Sequence, residues 1–193
     1  MNKSTLITIG VLAVVAIWCI GAYNGLVNKD ETVTQSWADV ETQYQRRADL
    51  IPNLVATVKG YAEHEKSTFE AVTEARAKVS SMNISVDELT EENLAKYQEA
   101  QSQLSGALSR LIAVSESYPE LKANEQFSEL QAQLEGTENR INTARKNYNA
   151  VVKEYNVSVR SFPGNILASF FGFARRPEFK AEAGAENAPK VQF

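Results

Sequence analysis

Hydrophobic residues recur along most of the chain at steps that alternate between four and three. This spacing places one apolar stripe along a helix and is typical of helices that pack as in a coiled coil. The pattern therefore predicts an all-α fold, an elongated antiparallel bundle of long helices. In its first stretch the stripe comprises Val33, Trp37, Val40, Tyr44, Arg47, Ile51, Leu54, Val58, Tyr61, Glu65, Thr68, Val72, Ala75 and Val79.

Breaks in the pattern divide the bundle, residues 29–162, into three long helices. The helices are predicted over residues 30–80, 86–117 and 119–162, and Pro163 ends the last one. Short connections predict antiparallel neighbours, with a fourth helix supplied by the C-terminal segment or by another protomer. The later stripes are Leu94, Tyr97, Gln101, Leu104, Leu108 and Leu111, then Phe127, Leu134, Ile141, Tyr148, Tyr155 and Phe162.

An uncharged run precedes the stripe, from residue 4 to residue 27. About 20 apolar residues span a bilayer, so residues 1–28 are predicted to be a retained single transmembrane anchor that continues into the first bundle helix. A cleaved signal peptide has a shorter apolar core. Lipidation of Cys19 is disfavoured by the bulky Trp18 before it. The flanking charges barely set the orientation, but the short N-terminus with Lys3 resembles a signal-anchor, which favours an extracytoplasmic bundle.

Composition and charge narrow the possible functions. The net charge of −4 argues against a nucleic-acid binder. One Cys excludes an intramolecular disulfide framework, and one His with one Cys leaves almost no zinc ligands. No phosphate-binding loop or nucleophile motif is found, so we expect no catalytic residue, no metal and no cofactor.

Several short motifs are specific enough to compare with known families: Tyr23-Asn24-x-Leu26-Val27, Trp37-Ala38-x-Val40, Gln45-Arg46-Arg47-x-Asp49-Leu50-Ile51-Pro52-Asn53-Leu54-Val55, Val58-Lys59-x-Tyr61-x-x-His64-Glu65, Ala75-Arg76, Tyr148-Asn149, Tyr155-Asn156, Phe162-Pro163-x-Asn165 and Pro189-Lys190-Val191-x-Phe193. Through them nearly the whole chain resembles the bacterial LemA family. The resemblance implies a single-pass protein of the bacterial inner membrane with a long helical bundle and no established enzymatic activity. Genes of this family often neighbour those of membrane-associated proteases, so such an envelope protein is an implied partner.

Arg46, Arg47 and Asp49 form the most polar part of the first stripe. Arginine binds phosphate or carboxylate groups through paired hydrogen bonds, so one hypothesis is recognition of an anionic ligand. The hypothesis that we favour is an internal ion pair between Arg47 and a carboxylate on a neighbouring helix, which would fix the register of the bundle.

Pro52 lies inside the predicted first helix, where a kink is expected. It cannot donate to the carbonyl of Ala48. Asn53 is placed to bridge that freed carbonyl, or to bind a partner chain. We favour the structural role over a conformational hinge.

His64 and Glu65 match the start of the zinc-protease motif H-E-x-x-H. Position 68 is Thr and the chain has no second His, so the motif is incomplete. We expect a hydrogen bond between His64 and a nearby carboxylate rather than a metal site.

A second uncharged segment covers residues 161–174 and is followed by Arg175 and Arg176. It is too short to span a bilayer, and residues 163–193 are predicted to form a short helix and a tail. One reading is an interfacial element beside anionic headgroups. The other is a cap on the bundle or an oligomer contact, favoured because three helical passes would leave the segment far from the bilayer. The candidate contact residues are Phe162, Pro163, Phe170, Phe171 and Phe173.

Three functions follow as hypotheses. The leading one is a membrane-anchored scaffold of the bacterial envelope that self-assembles as a homo-oligomer and contacts the lipid bilayer. The alternative is a regulator or sensor partner of a membrane protease or other envelope protein. A hydrolase of undescribed type is a third hypothesis with no recognisable site behind it.

Overall fold

The computed structural model of the protein describes residues 2–82 and 84–181, and the regular elements in that part of the chain are all helical. The all-α prediction is therefore confirmed. Short 3-10 turns at Val86–Glu88 and Ser115–Ser117 lie on either side of the helix Glu91–Val114. The helices are α1 (Lys3–Lys59), α2 (Lys66–Ser80), α3 (Glu91–Val114), α4 (Pro119–Lys122), α5 (Glu125–Arg160) and α6 (Gly164–Phe171).

The chain passes along the bundle four times. α2 folds back along α1, since the Arg76 guanidinium donates to the Ala48 carbonyl at 3.1 Å. α3 then runs beside α1 away from the apolar span, and α5 runs back toward that span along the whole bundle. Near the apolar span, Lys29 of α1 donates to the Ser158 hydroxyl at the end of α5.

The predicted continuous helix over residues 30–80 is wrong, because α1 ends at Lys59 and α2 begins at Lys66. Gly60 keeps a helical backbone (φ −64°), and the turn that follows buries Ala62, which is only 1% exposed. The reversal lets α2 bury Phe69 and Val72 in the same core as α3. Tertiary burial of this kind overrides a helical pattern that continues across the turn.

The extra reversal decides where the C-terminal part lies. With α2 counted, the chain makes an even number of passes, so α5 ends beside the apolar span rather than far from it. The expected three-pass path, which would leave Phe162 far from the apolar span, is therefore wrong, and α6 packs against α1.

Two hydrophobic cores fill the bundle. We call the one nearer the apolar span the proximal core and the other the distal core. The proximal core is built by Leu26, Val33, Trp37, Val40, Tyr44, Leu89, Leu94, Tyr97, Ile141, Ala144, Tyr148, Val152, Tyr155, Val159, Ala168 and Phe179. The distal core is built by Ile51, Leu54, Val58, Ala62, Phe69, Val72, Val79, Ala100, Leu104, Ala107, Leu108, Leu111, Leu121, Phe127, Leu130 and Leu134.

After α6 the chain returns along the bundle in an extended segment, residues 174–181, which we call the C-terminal strap. Gly172 makes this reversal possible: its φ of +79° lies in the left-handed region that glycine adopts without strain. The Phe173 amide then donates to the Ala168 carbonyl at 2.9 Å. The rest of the predicted tail, including Pro189-Lys190-Val191-x-Phe193, lies outside the described residues.

Candidate membrane-proximal site

A buried polar layer separates the two cores. Arg47 is 1% exposed. Its Nη1 donates at 2.7 Å to the Ser105 hydroxyl of α3 and at 2.7 Å to the Glu138 carboxylate of α5, while Nη2 donates to Gln101. The structure thus places Arg47 in an internal ion pair that joins three helices. The Arg47 guanidinium therefore bonds to other residues of the protein and is not available to bind a ligand.

The neighbours of Arg47 in the sequence have different surroundings. Arg46 is exposed, so its recognition of an anion remains a prediction. Asp49 is also exposed and accepts a hydrogen bond from Gln45 at 2.7 Å. These two residues lie on the outside of α1 and do not join the buried layer.

Pro52 lies inside α1, and the helix continues past it to Lys59. The carbonyl of Ala48 that Pro52 leaves without its helical donor accepts from Arg76 of α2. The predicted bridge by Asn53 is therefore wrong, since Asn53 is exposed and Arg76 supplies the donor. The longer reach of an arginine on a facing helix explains the difference.

His64 and Glu65 lie in the turn between α1 and α2, at the end of the bundle far from the apolar span. Glu65 accepts from the Tyr118 hydroxyl at 3.3 Å, while His64 is exposed. Across residues 2–82 and 84–181, no cluster of three His, Cys, Asp or Glu residues is arranged to hold a metal ion.

Two asparagines of α5 hold the C-terminal strap. The Asn149 side chain donates to the Phe179 carbonyl and accepts from the Phe179 amide, each at 2.9 Å. Asn156 makes the same pair of bonds with the carbonyl and amide of Arg176, also at 2.9 Å. Sequence reasoning missed this role, although the Tyr-Asn pair that repeats after seven residues was visible.

Aromatic rings complete the attachment of the strap. The Phe179 ring stacks on Trp37 with centroids 6.0 Å apart and meets the Tyr148 ring edge-on at 5.5 Å. The Tyr148 hydroxyl donates to the Pro177 carbonyl at 3.1 Å. The strap therefore closes the proximal core, because its Phe179 fills a place in that core that would otherwise be empty.

Arg176 links the strap to α1 and to the 3-10 turn that precedes α3. Its guanidinium lies 3.1 Å from Asp30 and 3.1 Å from Asp87, and it donates to the Val86 carbonyl at 2.9 Å. Burial acts to lower the pKa of Arg176, but the two carboxylates outweigh it, so the pKa is raised above its ordinary value. The cation therefore stays charged and fixes the strap at the base of the bundle.

α6 meets α1 at the end of the apolar span. The Tyr23 ring lies 4.7 Å from Phe171 and 5.9 Å from Phe173, measured between ring centroids. Phe162 and Phe170 are each 81% exposed. The Phe162–Pro163 peptide bond is cis and leads directly into α6.

The opposite side of the apolar span carries three glycines. At about 100° per residue, Gly10, Gly21 and Gly25 project within about 60° of one another, and Tyr23 projects away from them. A Cβ placed on any of the three would meet nothing within 4 Å among the described residues. Gly21 and Gly25 form a G-x-x-x-G motif, which lets two membrane helices approach closely. Sequence reasoning missed this motif, which was readable from the chain.

The apolar part of α1 fits a membrane span. Its most apolar 18-residue window has a mean hydropathy of 2.4, and none of that window is buried inside the protein. α1 is the one helix in the described part of the chain that is long and apolar enough to cross a membrane. A core helix of a water-soluble protein would be covered by its neighbours, so the exposure favours a lipid environment.

Known proteins of related sequence were found along almost the whole chain. It is 29% identical to magnetosome protein MamQ 1 of Paramagnetospirillum magneticum, over 96% of this chain and 75% of that protein. It is 27% identical to magnetosome protein MamQ of Magnetospirillum gryphiswaldense, with the same coverage. It is 24% identical to protein LemA of Metamycoplasma hominis, over 84% of this chain and 69% of that protein.

The names of these three relatives do not describe an enzyme. The relatives and the exposed apolar helix together fit a membrane-associated protein with a single span. The model of the LemA family matches residues 36–193, which is most of the chain. This match covers the buried arginine layer, the asparagines that hold the strap, and α6. The protein belongs to the LemA family.

Proposed function

We propose that this protein is a membrane-anchored helical scaffold of the bacterial envelope that self-assembles and acts without catalysis. The observation that carries the proposal is the continuity of α1, which runs for 57 residues from the apolar span into the bundle. At about 1.5 Å per residue this helix is about 85 Å long. A bundle built on such a helix is held at a fixed distance from the bilayer, as a scaffold requires.

Self-assembly is supported by the face of α1 that carries the glycines. In lipid, helices associate through close packing of small residues rather than through the hydrophobic effect. Gly10, Gly21 and Gly25 leave that face flat, and α6 covers the other side of the helix at Tyr23. The glycine face is thus available to the same face of a second copy, which gives a symmetric contact.

The polar residues of the bundle interior support a structural role. Arg47 joins α1, α3 and α5, and Arg176 joins the strap to Asp30 and Asp87. Both arginines bond to other residues of the protein, so these charged side chains maintain the shape of the bundle. The role of a regulator or sensor that moves at Pro52 stays a prediction, and an unbroken helix through Pro52 gives it no added support.

We further propose the bacterial inner membrane as the location, with the bundle on the extracytoplasmic side. The uncharged N-terminal run with Lys3 before it has the form of a signal-anchor. Labelling of a single introduced cysteine at an exposed bundle position, with a reagent that does not cross the membrane, tests the orientation in intact cells.

Cysteine crosslinking in native membranes tests self-assembly. Cys19 is first replaced by Ala, and Ile17, which is 70% exposed on the glycine face, is replaced by Cys. Mild oxidation is expected to give a disulfide-linked dimer with Ile17→Cys. The matched control is Ala16→Cys, on the far side of the helix, which is expected to stay monomeric.

Substitutions of the glycines sharpen the same test. Gly21→Leu with Gly25→Leu adds bulk to the contact and is expected to abolish the Ile17→Cys crosslink. Ala16→Leu adds similar bulk elsewhere on the span and is expected to leave it intact. Equal crosslinking at positions 16 and 17, or an unchanged crosslink after both glycine substitutions, would overturn the proposed contact.

A further inference from the structure

α6 has an apolar stripe that the rest of the protein leaves uncovered. Ile166 and Phe170 lie one turn apart on α6, and Phe162 lies just before the helix; they are 60%, 81% and 81% exposed and together form the apolar stripe. The other side of the same helix is packed, since Ala168 is 0% exposed in the proximal core. Such a stripe in water is costly, because large apolar side chains are stabilised by removal from water.

The position of α6 along α1 indicates what covers this stripe. Phe171 and Phe173 both touch Tyr23, which lies near the end of the apolar span and six residues before its first following charge, Lys29. Tyrosine favours the boundary between acyl chains and headgroups. α6 therefore lies at the depth of that boundary and next to the surface of α1 that faces lipid.

Charged residues are distributed as this depth requires. α6 itself has no charged residue, whereas the exposed Arg160 and Arg175 stand just before and just after the uncharged segment. Lys29, also exposed, is the first charge after the apolar span of α1. An apolar helix bordered by cations is typical of segments that lie in the interface of a bilayer with anionic lipids.

We propose that α6 and Phe162 form a second membrane contact, with the apolar stripe inserted among the outer acyl chains and Arg160 and Arg175 facing anionic headgroups. This inference rests on the membrane anchorage in the proposed function. The occupant is lipid rather than a second copy, because the stripe adjoins the lipid-facing span while the glycine face of α1 points the other way. Two contacts with the bilayer fix the rotation of the bundle, which a single helix does not.

Fluorescence quenching by spin-labelled lipids tests the contact in the full-length protein. In a Cys19→Ala background, Phe170→Cys carries an environment-sensitive fluorophore, and the protein is placed in nanodiscs of phosphatidylcholine and phosphatidylglycerol. A nitroxide near the top of the acyl chain is expected to reduce the emission severalfold, together with a blue shift. Phe162→Cys, labelled in the same way, gives an independent position on the stripe.

Two control positions separate the possible failures. Glu120→Cys, exposed on α4 at the distal end, is expected to be unquenched by lipid. Ala16→Cys, on the side of the span away from the glycine face, is expected to be quenched by a nitroxide deep in the acyl chains. If Ala16→Cys is not quenched, the anchorage and the proposed function fail.

If Ala16→Cys is quenched while both stripe positions emit as Glu120→Cys does, the second membrane contact alone is overturned. A blue-shifted stripe label that lipid does not quench would show that another protein copy covers α6, and this also overturns the proposal. Circular dichroism verifies that the labelled variants keep their helices.

Discussion

The proximal and distal cores are built from the same long helices but closed in different ways. The distal core is mainly aliphatic, and the α2–α3 hairpin that fills it is local in sequence. The proximal core is rich in aromatic rings and is closed by Phe179, which arrives from the strap about 30 residues after Tyr148. The α2–α3 hairpin is sufficient to fill the distal core, whereas the proximal core depends on the strap, which is distant in sequence.

This difference teaches that the base of the bundle and the position of α6 are coupled. Asn149 and Asn156 hold the strap, and the strap holds Arg176 against Asp30. In the sequence, α6 connects α5 to the strap. Releasing the strap therefore frees the segment that faces the membrane. Within residues 2–82 and 84–181, the distal core has no such connection to α6.

The largest expected effect is that of Trp37→Ala. Trp37 is 2% exposed and contacts Tyr97, Tyr148 and Phe179. The cavity is expected to lower the free energy of unfolding by about 3–5 kcal/mol. Denaturant titration followed by circular dichroism measures the loss. Hydrogen exchange should show that the Phe179 amide loses protection in the folded protein.

The matched variant in the distal core is Leu111→Ala, at a residue that is 0% exposed. It is expected to cost about 2–5 kcal/mol while leaving the Phe179 amide protected under native conditions. Equal exposure of the strap in both variants would contradict the division of the bundle into two differently closed halves.

The polar layer between the cores gives the next effect. Arg47→Met leaves Glu138 without its cation, and because the Glu138 side chain is 37% exposed, water hydrates it in part. We expect a loss of about 2 kcal/mol in unfolding free energy. The Arg47 Nε and Gln101 Nε2 atoms have no partner among the described residues, so the layer is not optimal for stability.

Replacing the whole layer tests this interpretation. The triple variant Arg47→Met, Gln101→Leu, Glu138→Met removes every charge together and is expected to recover to within about 1 kcal/mol of the natural chain. If the triple variant is as unstable as Arg47→Met alone, the layer contributes packing that apolar side chains do not replace.

A smaller effect is expected from Asn156→Ala, which removes two hydrogen bonds to the strap backbone. The expected loss is about 1–2 kcal/mol, because the amide and carbonyl of Arg176 are left to find other partners. Hydrogen exchange at the Arg176 amide measures it. Asn142→Ala, at an exposed position two heptads earlier on α5, serves as the control and should leave exchange unchanged.

The smallest effect near neutrality is that of pH, and for the buried tyrosines it is expected in alkali. Burial raises the pKa of Tyr97, Tyr148 and Tyr155 to about 12, from an ordinary value of 10.0. A raised pKa means that the folded state holds its phenolic protons more tightly than the unfolded state. The resulting stability is present below pH 10 and is lost as the pH rises through about 12.

All three of these tyrosines belong to the proximal core, so the strap should lose protection before α2 and α3 do. Tyrosinate absorbance followed together with hydrogen exchange measures the order. Tyr148→Phe should weaken the dependence of stability on pH in this range. An alkaline transition that begins in the distal core would contradict the comparison.

The sequence predicted the helical register better than the path of the chain. The α5 stripe is confirmed from Phe127 to Tyr155, all buried, because repeating contacts along one helix leave a regular pattern. The turn at Gly60 left no comparable signal: its backbone stays helical, and Ala62 is buried within it. No positive φ or proline marked the reversal.

The strap was hidden for a different reason. Extended segments held by side chains from a distant helix have no periodicity of their own, so residues 177–181 were predicted to be part of a tail. The repeated Tyr-Asn pairs of α5 were the usable signal, since an asparagine on a packed helix face needs a hydrogen-bond partner. The candidate residues Arg47 and Phe170 were identified from the sequence. What surrounds them depends on how many times the chain passes along the bundle, and the sequence analysis predicted that number incorrectly.

Mass measurement of the full-length protein, extracted directly from native membranes into lipid nanodiscs, tests the scaffold most directly. We predict one defined assembly of more than one copy, which falls apart when Gly21→Leu and Gly25→Leu are combined and persists with Ala16→Leu. A monomer in the native nanodisc, with no change on glycine substitution, would contradict the self-assembling scaffold.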